Sequence, residues 1–367
     1  MPRITRRKTI RAATLADVGR MAGVSAMAAS AVLNGARTSS RISVETRARI
    51  MEAAGKLRYR PNVAARALAN RRMNTIGVAA VVDEGTLNYY FLEVFNGIIE
   101  GAAKYGQNTT VFVLHDWTKE ISKVAGFCDG RIDGLILLGP VISREMGPLL
   151  PEHTHFTALH PNVLLPNFTS IESDEEKGAW ELVSHLVSLG HRRILHLSGQ
   201  RNLLGAERRI AGYRKALSDA GIPFDPALIA EAGYSVEAGK VTMEAWLDAH
   251  IGQPLPTAIF CANDSSAAGC LETLASRGLR VPTDVSLCGF DDSLAARTCV
   301  PQLTTERQPL RQMGLQAVAS LMEQIKYSSN TDASAVQGES HIVFPTQLAV
   351  RDSTAAPGPE KLIEARV

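Results

Sequence analysis

No apolar run in this sequence reaches the roughly 18 residues that a bilayer-crossing helix requires, so no membrane partner is expected. The first residues, MPRITRRKTIRAA, are basic, but no apolar stretch follows them as it would in a secretory signal. The five cysteines, Cys128, Cys261, Cys270, Cys288 and Cys299, are odd in number and show no CxxC spacing. That excludes a paired disulfide framework and a thiolate cage, and leaves reduced thiols of a cytoplasmic protein. A GxSxG elbow, a P-loop, a GxGxxG after a strand and an HExxH are all missing, and His153 and His155 form only a lone His-x-His in a proline-rich loop. With no spaced His/Cys cluster either, no catalytic residue, metal or cofactor is expected, which argues against an enzyme. At 367 residues, 45% hydrophobic and 21% charged, the chain has the composition of a globular protein of two or three domains.

Negative charge is scarce only locally. Residues 1–72 carry sixteen Lys and Arg against three Asp and Glu, whereas the remainder carries 23 against 34. The formal net charge of +2 therefore hides a basic head and an acidic body, the footprint of a part that sits on phosphates.

Within the basic part, Leu15, Val18 and Met21 recur every three residues as one apolar stripe of a short helix, and Thr14 and Asp17 have capping-box spacing. Gly23 allows a tight turn, and Ser25 can cap a second helix from about Ala26 to Leu33. Two short helices joined by a glycine turn make a helix-turn-helix, although a plain helical hairpin fits the pattern alone; the charge favours the DNA-binding reading. Ser43 then caps a third helix, about Val44 to Leu57, with Ala48, Met51 and Ala54 as its inward stripe. VAARALANRR, residues 63–72, has helix-forming composition but only Val63 and Leu68 as sizeable apolar residues, so it is a linker or a helix that needs a partner.

From Thr75 onward, apolar strands alternate with helices, which implies parallel sheets covered on both faces and, over nearly three hundred residues, two doubly wound lobes. Ligands bind at the carboxyl ends of such strands. The polar residues there are Asp83, Asp116, His160, Asp174, Tyr234, Asn263-Asp264 and Asp291-Asp292. Single Asp or Asn residues in those places are commonly caps, whereas two successive pairs suit a ligand rich in hydroxyls.

The motifs TLADVGRMAGVS, SAVLNG, ISVETRARI, YRPNVAARAL and NTIGV, followed by RIDGLIL, LGHRRILHLSG, RIAGYRKAL, FCANDSSAAG, DVSLCGFDD, PQLTT and VRDST, resemble the lactose repressor (LacI/GalR) family from about Thr14 to Thr354. The resemblance implies a dimeric, effector-controlled transcription regulator, a repressor on the family pattern. Its body would be similar to periplasmic sugar-binding proteins. The implied plan is a helix-turn-helix head with a basic arm (1–60), a hinge (61–73), a two-lobed effector and dimerisation body (74–352) and a loose tail (353–367). Thr14, Ser25 and Asn34 would touch phosphates of a pseudo-palindromic operator. Leu15, Ser30 and the recognition-helix residues Ala26 and Met27 would face DNA, and Asn62, Ala65 and Leu68 would belong to a hinge helix wedged into the minor groove. Arg209, Asn263, Asp291 and Gln308 match the family's effector residues, with Tyr90, Phe91 and Tyr234 where ligand-packing aromatics lie. Phe91 is also read as a core residue.

The departures bear on specificity. Ala31 stands where an Arg is common, so base reading must lean on thymine methyls, Ser30 and DNA shape. Tyr89 replaces a Pro, and Glu175 replaces the Asn of an Asp-Asn pair. A solute-binding protein for a transporter is the competing class, and the basic head opposes it. If about six phosphates are neutralised per dimer, log K for DNA should fall with log salt at a slope of roughly −5. Titration across a salt series checks this, and a slope near zero on every duplex would refute DNA binding.

Overall fold

The computed structural model describes residues 11–34, 42–61, 72–82, 88–164, 168–330 and 340–365. Asn62, Ala65 and Leu68 lie outside these residues, as do most of the basic arm and Asp83. The chain divides into two compact units, Met1–Asn74 and Thr75–Val367.

In the first unit, α1 (Leu15–Ala22), α2 (Ala26–Asn34) and α3 (Val44–Lys56) enclose a small core of Val18, Ala22, Ala29, Ile50, Ala53 and Ala54. The capping box is formed: Thr14 N donates to Asp17 Oδ2 at 2.9 Å, and Asp17 N donates to Thr14 Oγ1 at 3.3 Å. Gly23 ends α1 with φ of 68°, a left-handed turn that side chains disfavour, and Ser25 Oγ accepts from Ala28 N at 3.2 Å. The expected inward stripes need correction. Met21 and Met51 are exposed, as is Ala48, while Ala22, Ile50 and Ala53 are buried. A strict three-residue repeat drifts about 60° per step around a helix, whereas four- and three-residue steps combined stay on one face.

The second unit contains β1 (Thr75–Val81), β2 (Asn108–Leu114), β3 (Gly134–Leu138), β4 (His155–Leu159), β5 (Thr169–Ser173), β6 (Ile194–Ser198), β7 (Ile229–Glu231), β8 (Ala258–Cys261), β9 (Ser286–Asp291), β10 (Thr304–Arg307), β11 (Ser340–Phe344) and β12 (Gln347–Ala349). Its helices are α4 (Tyr89–Lys104), α5 (Trp117–Phe127), α6 (Glu175–Ser188), α7 (Leu204–Asp219), α8 (Val236–Ala249), α9 (Asp264–Ser276), α10 (Leu294–Thr298) and α11 (Leu310–Asn330). The strands form two sheets, ordered β11-β5-β4-β3-β1-β2 and β12-β10-β9-β8-β6-β7. The pairings are parallel apart from β10 with β12. Strands such as GLILL in β3 and AIFC in β8 are buried along their whole length, as covering helices on both faces demand.

The two lobes share one strand order, but the chain does not finish one before starting the other. It crosses at Asp174 between β5 and α6, at Gln308-Pro309 between β10 and α11, and at Pro345-Thr346 between β11 and β12. Consequently α11 packs Leu310, Met313, Val318 and Leu321 into the first lobe's core with Ile76 and Ile98. The last apolar stretch, residues 341–350, reads as one strand but forms β11 and β12, in different sheets. β5 (TSIES) and β10 (TTER) escape a hydrophobicity reading because they are polar, although most of their residues are buried.

Residues 353–365 are not a loose tail. Ser353 is fully buried; its Oγ donates to Leu287 O at 2.5 Å and accepts from Thr304 N at 2.8 Å. Ile363 joins the second lobe's core beside Leu255 and Trp246, and its backbone pairs with Gly252 and Gln253. Chain termini are commonly loose, yet here one Ile and a short antiparallel bridge, Pro254 to Leu362, are enough to dock the segment.

β10 also carries a misfit. Glu306 is fully buried beside Gly178 of α6, with the Thr346 hydroxyl near its carboxyl but no well-formed hydrogen bond to it. Burial pushes its carboxyl up to about 8 from an ordinary 4.5. The native state therefore holds a proton that the unfolded chain releases. Stability from this group is greatest below pH 4.5 and declines as pH rises towards 8. Glu306→Gln should remove that decline, a difference of roughly 3–5 kcal/mol between the two proteins across the range. Urea unfolding from pH 4.5 to 8.5 measures it, and parallel profiles would contradict it.

Candidate functional site

In parallel sheets the carboxyl ends of neighbouring strands fall side by side. Register places Asp291 beside Arg307 across β9 and β10, so Gln308 follows directly next to it. Gln308 Nε2 donates to Asp291 Oδ1 at 2.6 Å, and the Ser173 hydroxyl donates to Gln308 Oε1. Ser173 ends β5 in the other lobe, where its Oγ lies 3.3 Å from His160 Nε2. His160 Nδ1 is 2.6 Å from the Tyr90 hydroxyl in the first turn of α4. A continuous polar chain, Tyr90–His160–Ser173–Gln308–Asp291, thus joins the lobes at two of the three crossovers.

Arg209 projects from α7 into the same region and is 6% exposed. Its Nη2 donates to Glu175 Oε1 at 2.7 Å, its Nη1 donates to the Ala262 carbonyl, and the guanidinium lies 4.1 Å over Phe290 and 5.8 Å from the Tyr234 ring. These contacts offset the desolvation of a buried cation. Burial acts to lower the Arg209 pKa, but Glu175 foremost among its charged neighbours reverses that, and it stays protonated. Asp291 is pushed up to about 6 by burial, against the opposing pull of Arg209 and Gln308. Burial also pushes Tyr234 up to about 12 and drives His160 below its ordinary value, so the histidine is neutral near pH 7.

Each expected effector residue has a definite place. Arg209, Asp291, Gln308 and Tyr90 meet in the polar chain or its ion pair, whereas Phe91 packs against the first lobe's core. Asn263 caps α9, accepting from Ser266 N at 2.8 Å, and its Nδ2 donates to Tyr234 O at 3.0 Å. The second members of the two acidic pairs are structural. Asp264 accepts from Thr305 Oγ1 and Ser293 N, and Asp292 binds Arg307 and Arg351. The residues that the sequence reading left out are His160, Ser173 and Glu175. His160 was visible as a polar strand end and Glu175 as a departure, but Ser173 sits at the end of the unrecognised β5. An open groove of about 630 Å³ reaches this site and is lined by Asp291 and Gln308 with Glu93, Arg297, Arg307 and Arg311.

In the first unit, Ala26 and Met27 open α2 exposed to solvent, Met27 at 75%. The Ser30 hydroxyl accepts from Asn34 Nδ2 at 3.2 Å, and Thr14 and Ser25 hold the helix N-termini. Arg20, Arg47, Arg49, Arg58 and Arg60 are exposed around them, as phosphate contact requires.

Asn263→Ala should cost about 1–2 kcal/mol through the lost cap, whereas Asn263→Asp should retain the cap and lose only the bond to Tyr234 O. Thermal denaturation of both variants tests this, and equal losses would show that capping is not what Asn263 contributes.

Residues 14–62 match the model for bacterial regulatory proteins of the lacI family, and residues 183–354 match a periplasmic binding protein-like domain. The chain is 31% identical over 347 residues to the HTH-type transcriptional regulator DegA of Bacillus subtilis, covering 93% of this chain and 98% of that protein. It also resembles the structure of the lac repressor dimer bound to operator and the anti-inducer ONPF. There the TM-score is 0.79 and the identity 28%, over 94% of this chain and 100% of the other. A complex of the transcriptional regulator CelR with cellobiose matches with TM-score 0.68 and 25% identity, over 93% and 99% of the two chains.

Proposed function

Because this chain belongs to the lacI family of bacterial regulatory proteins, it is a transcriptional regulator, and we propose that it represses transcription under the control of a sugar bound between its two lobes. It would act in the cytoplasm as a homodimer on a pseudo-palindromic operator. The lac repressor structure is a dimer on operator DNA, and the CelR complex holds cellobiose. The observation that carries the effector reading is the polar chain from Tyr90 to Asp291, which ties residues of one lobe to residues of the other through the crossovers.

A sugar offers hydroxyls that both donate and accept, so it can replace these bonds group for group. Replacing them changes what holds the lobes together, and a ligand shifts a two-state protein only through such differential contacts. The DNA side rests on the first unit, whose exposed arginines and helix N-termini suit a phosphate backbone. Thr14, Leu15, Ser25, Ala26, Met27, Ser30 and Asn34 are proposed to face the operator. Asn62, Ala65 and Leu68 are proposed for the hinge, with Leu68 as the side chain that would wedge into a base step.

Asp291→Ala should weaken the binding of the active sugar about 10- to 100-fold, by loss of hydrogen bonds to a charged group. DNA binding without sugar should remain intact, because Asp291 lies in the other unit and is not itself a DNA-facing residue. Isothermal titration with cellobiose, ribose and related sugars, paired with operator binding, tests both halves. Unaltered sugar affinity would remove Asp291 from the site.

A further inference from the structure

A cleft that holds an anionic ligand must leave a cation free to receive it. Arg209 stands where that cation would be, and it is already committed. Glu175 Oε1 takes its Nη2 at 2.7 Å, the Ala262 carbonyl takes Nη1, and only Nε has no partner. Arg208, the next cation along α7, is held by Glu172 at 2.8 Å and lies 4.0 Å from Glu175 Oε2. Glu172 is also held by His341 at 2.5 Å. Glu175 is itself 3% exposed and seated against the first turn of α7. A Cβ on Gly205 there would fall 2.7 and 2.9 Å from its two carboxylate oxygens, so the fold keeps this space for the carboxylate. Asp291 brings a second carboxylate towards the same arginine. Two carboxylates surround one guanidinium, and the arginines along the groove are answered in turn, Arg297 by Glu93, Arg311 by Glu100, and Arg307 and Arg351 by Asp292.

We propose that Glu175 sets the charge class of the effector: by neutralising Arg209 it makes the cleft accept an uncharged polyhydroxylated sugar and reject the phosphorylated or carboxylated form of that sugar. The proposal rests on the cleft being the effector site. Arg209 Nε is itself buried, so a phosphate could reach the guanidinium only by displacing Glu175, which would leave a carboxylate facing a dianion, and like charges repel. Hydroxyls meet no such obstacle: they donate to the carboxylates without displacing either one.

The test uses the full-length protein and matched probes: ribose with ribose 5-phosphate, glucose with glucose 6-phosphate and glucuronate, and inorganic phosphate alone, by isothermal titration. The wild type should bind no anionic member more tightly than its neutral parent. Glu175→Gln and Glu175→Asn should bind inorganic phosphate at least about tenfold more tightly than the wild type, and Glu175→Asp should behave as the wild type. A phosphorylated sugar preferred by the wild type overturns the proposal, as does phosphate affinity that is equal in the wild type and the neutral variants. Should the neutral variants fail to fold, the ranking within each matched pair on the wild type decides. Sugar binding that is unmoved by Asp291→Ala would instead refute the cleft as the effector site, a result separable from the charge ranking.

Discussion

A guanidinium buried between two sheets has to be answered by charge, and the arrangement of this body around Arg209 follows from that requirement. The answering groups come from three elements: Glu175 opens α6 just after a crossover, Ala262 follows β8, and Phe290 lies in β9. Removing one partner from such a pair costs about 3–5 kcal/mol, because the other charge is stranded. The pair is a weak source of net stability but a strong constraint on geometry, since α6, α7 and the end of β8 must all arrive within hydrogen-bonding reach. Gly205 is part of the same constraint. Its missing side chain gives Glu175 room at the amide end of α7, where a carboxylate is favoured.

The architecture was largely readable from the residues. Runs such as GLILL and AIFC are too apolar to be anything but doubly covered strands, and the capping signals Thr14, Ser25 and Ser43 sit where their helices begin. What was lost lies mostly at the crossovers. β5 and β10 are short and polar, so no hydrophobic period marks them, yet they are buried because each lies inside its sheet with a strand on either side. Likewise, nothing in the residues marks the change of sheet between β11 and β12 at Pro345-Thr346. The tail was misread because docking by Ser353 and Ile363 depends on surfaces made far away in sequence.

The site divides along similar lines. Arg209 and Gln308 are named only by the family resemblance, and Asp291 also by its position at a strand end. Their connection through Ser173 and His160 was not readable, because it spans residues up to 135 positions apart and runs across lobes. Asn263, named with them by the resemblance, has its amide occupied by a cap and by Tyr234. Sequence position alone does not distinguish an amide that orients a neighbour from one that meets a ligand.

The backbone at the strand ends adds the last step. Asp291 has φ of 116° and His160 has φ of 47°, conformations that side chains other than glycine rarely adopt. Such residues store of order 1–3 kcal/mol each and persist only where their surroundings hold them. Both are members of the polar chain, one in each lobe, so the bonds through Ser173 and Gln308 also hold the two strained positions. A ligand that competes for those bonds acts on the strain as well as on the contacts. That gives a small neutral molecule, with no charge of its own to contribute, a differential free energy between two arrangements of the lobes. By linkage, whatever favours one arrangement from elsewhere in the chain must change the ligand's affinity by the same factor.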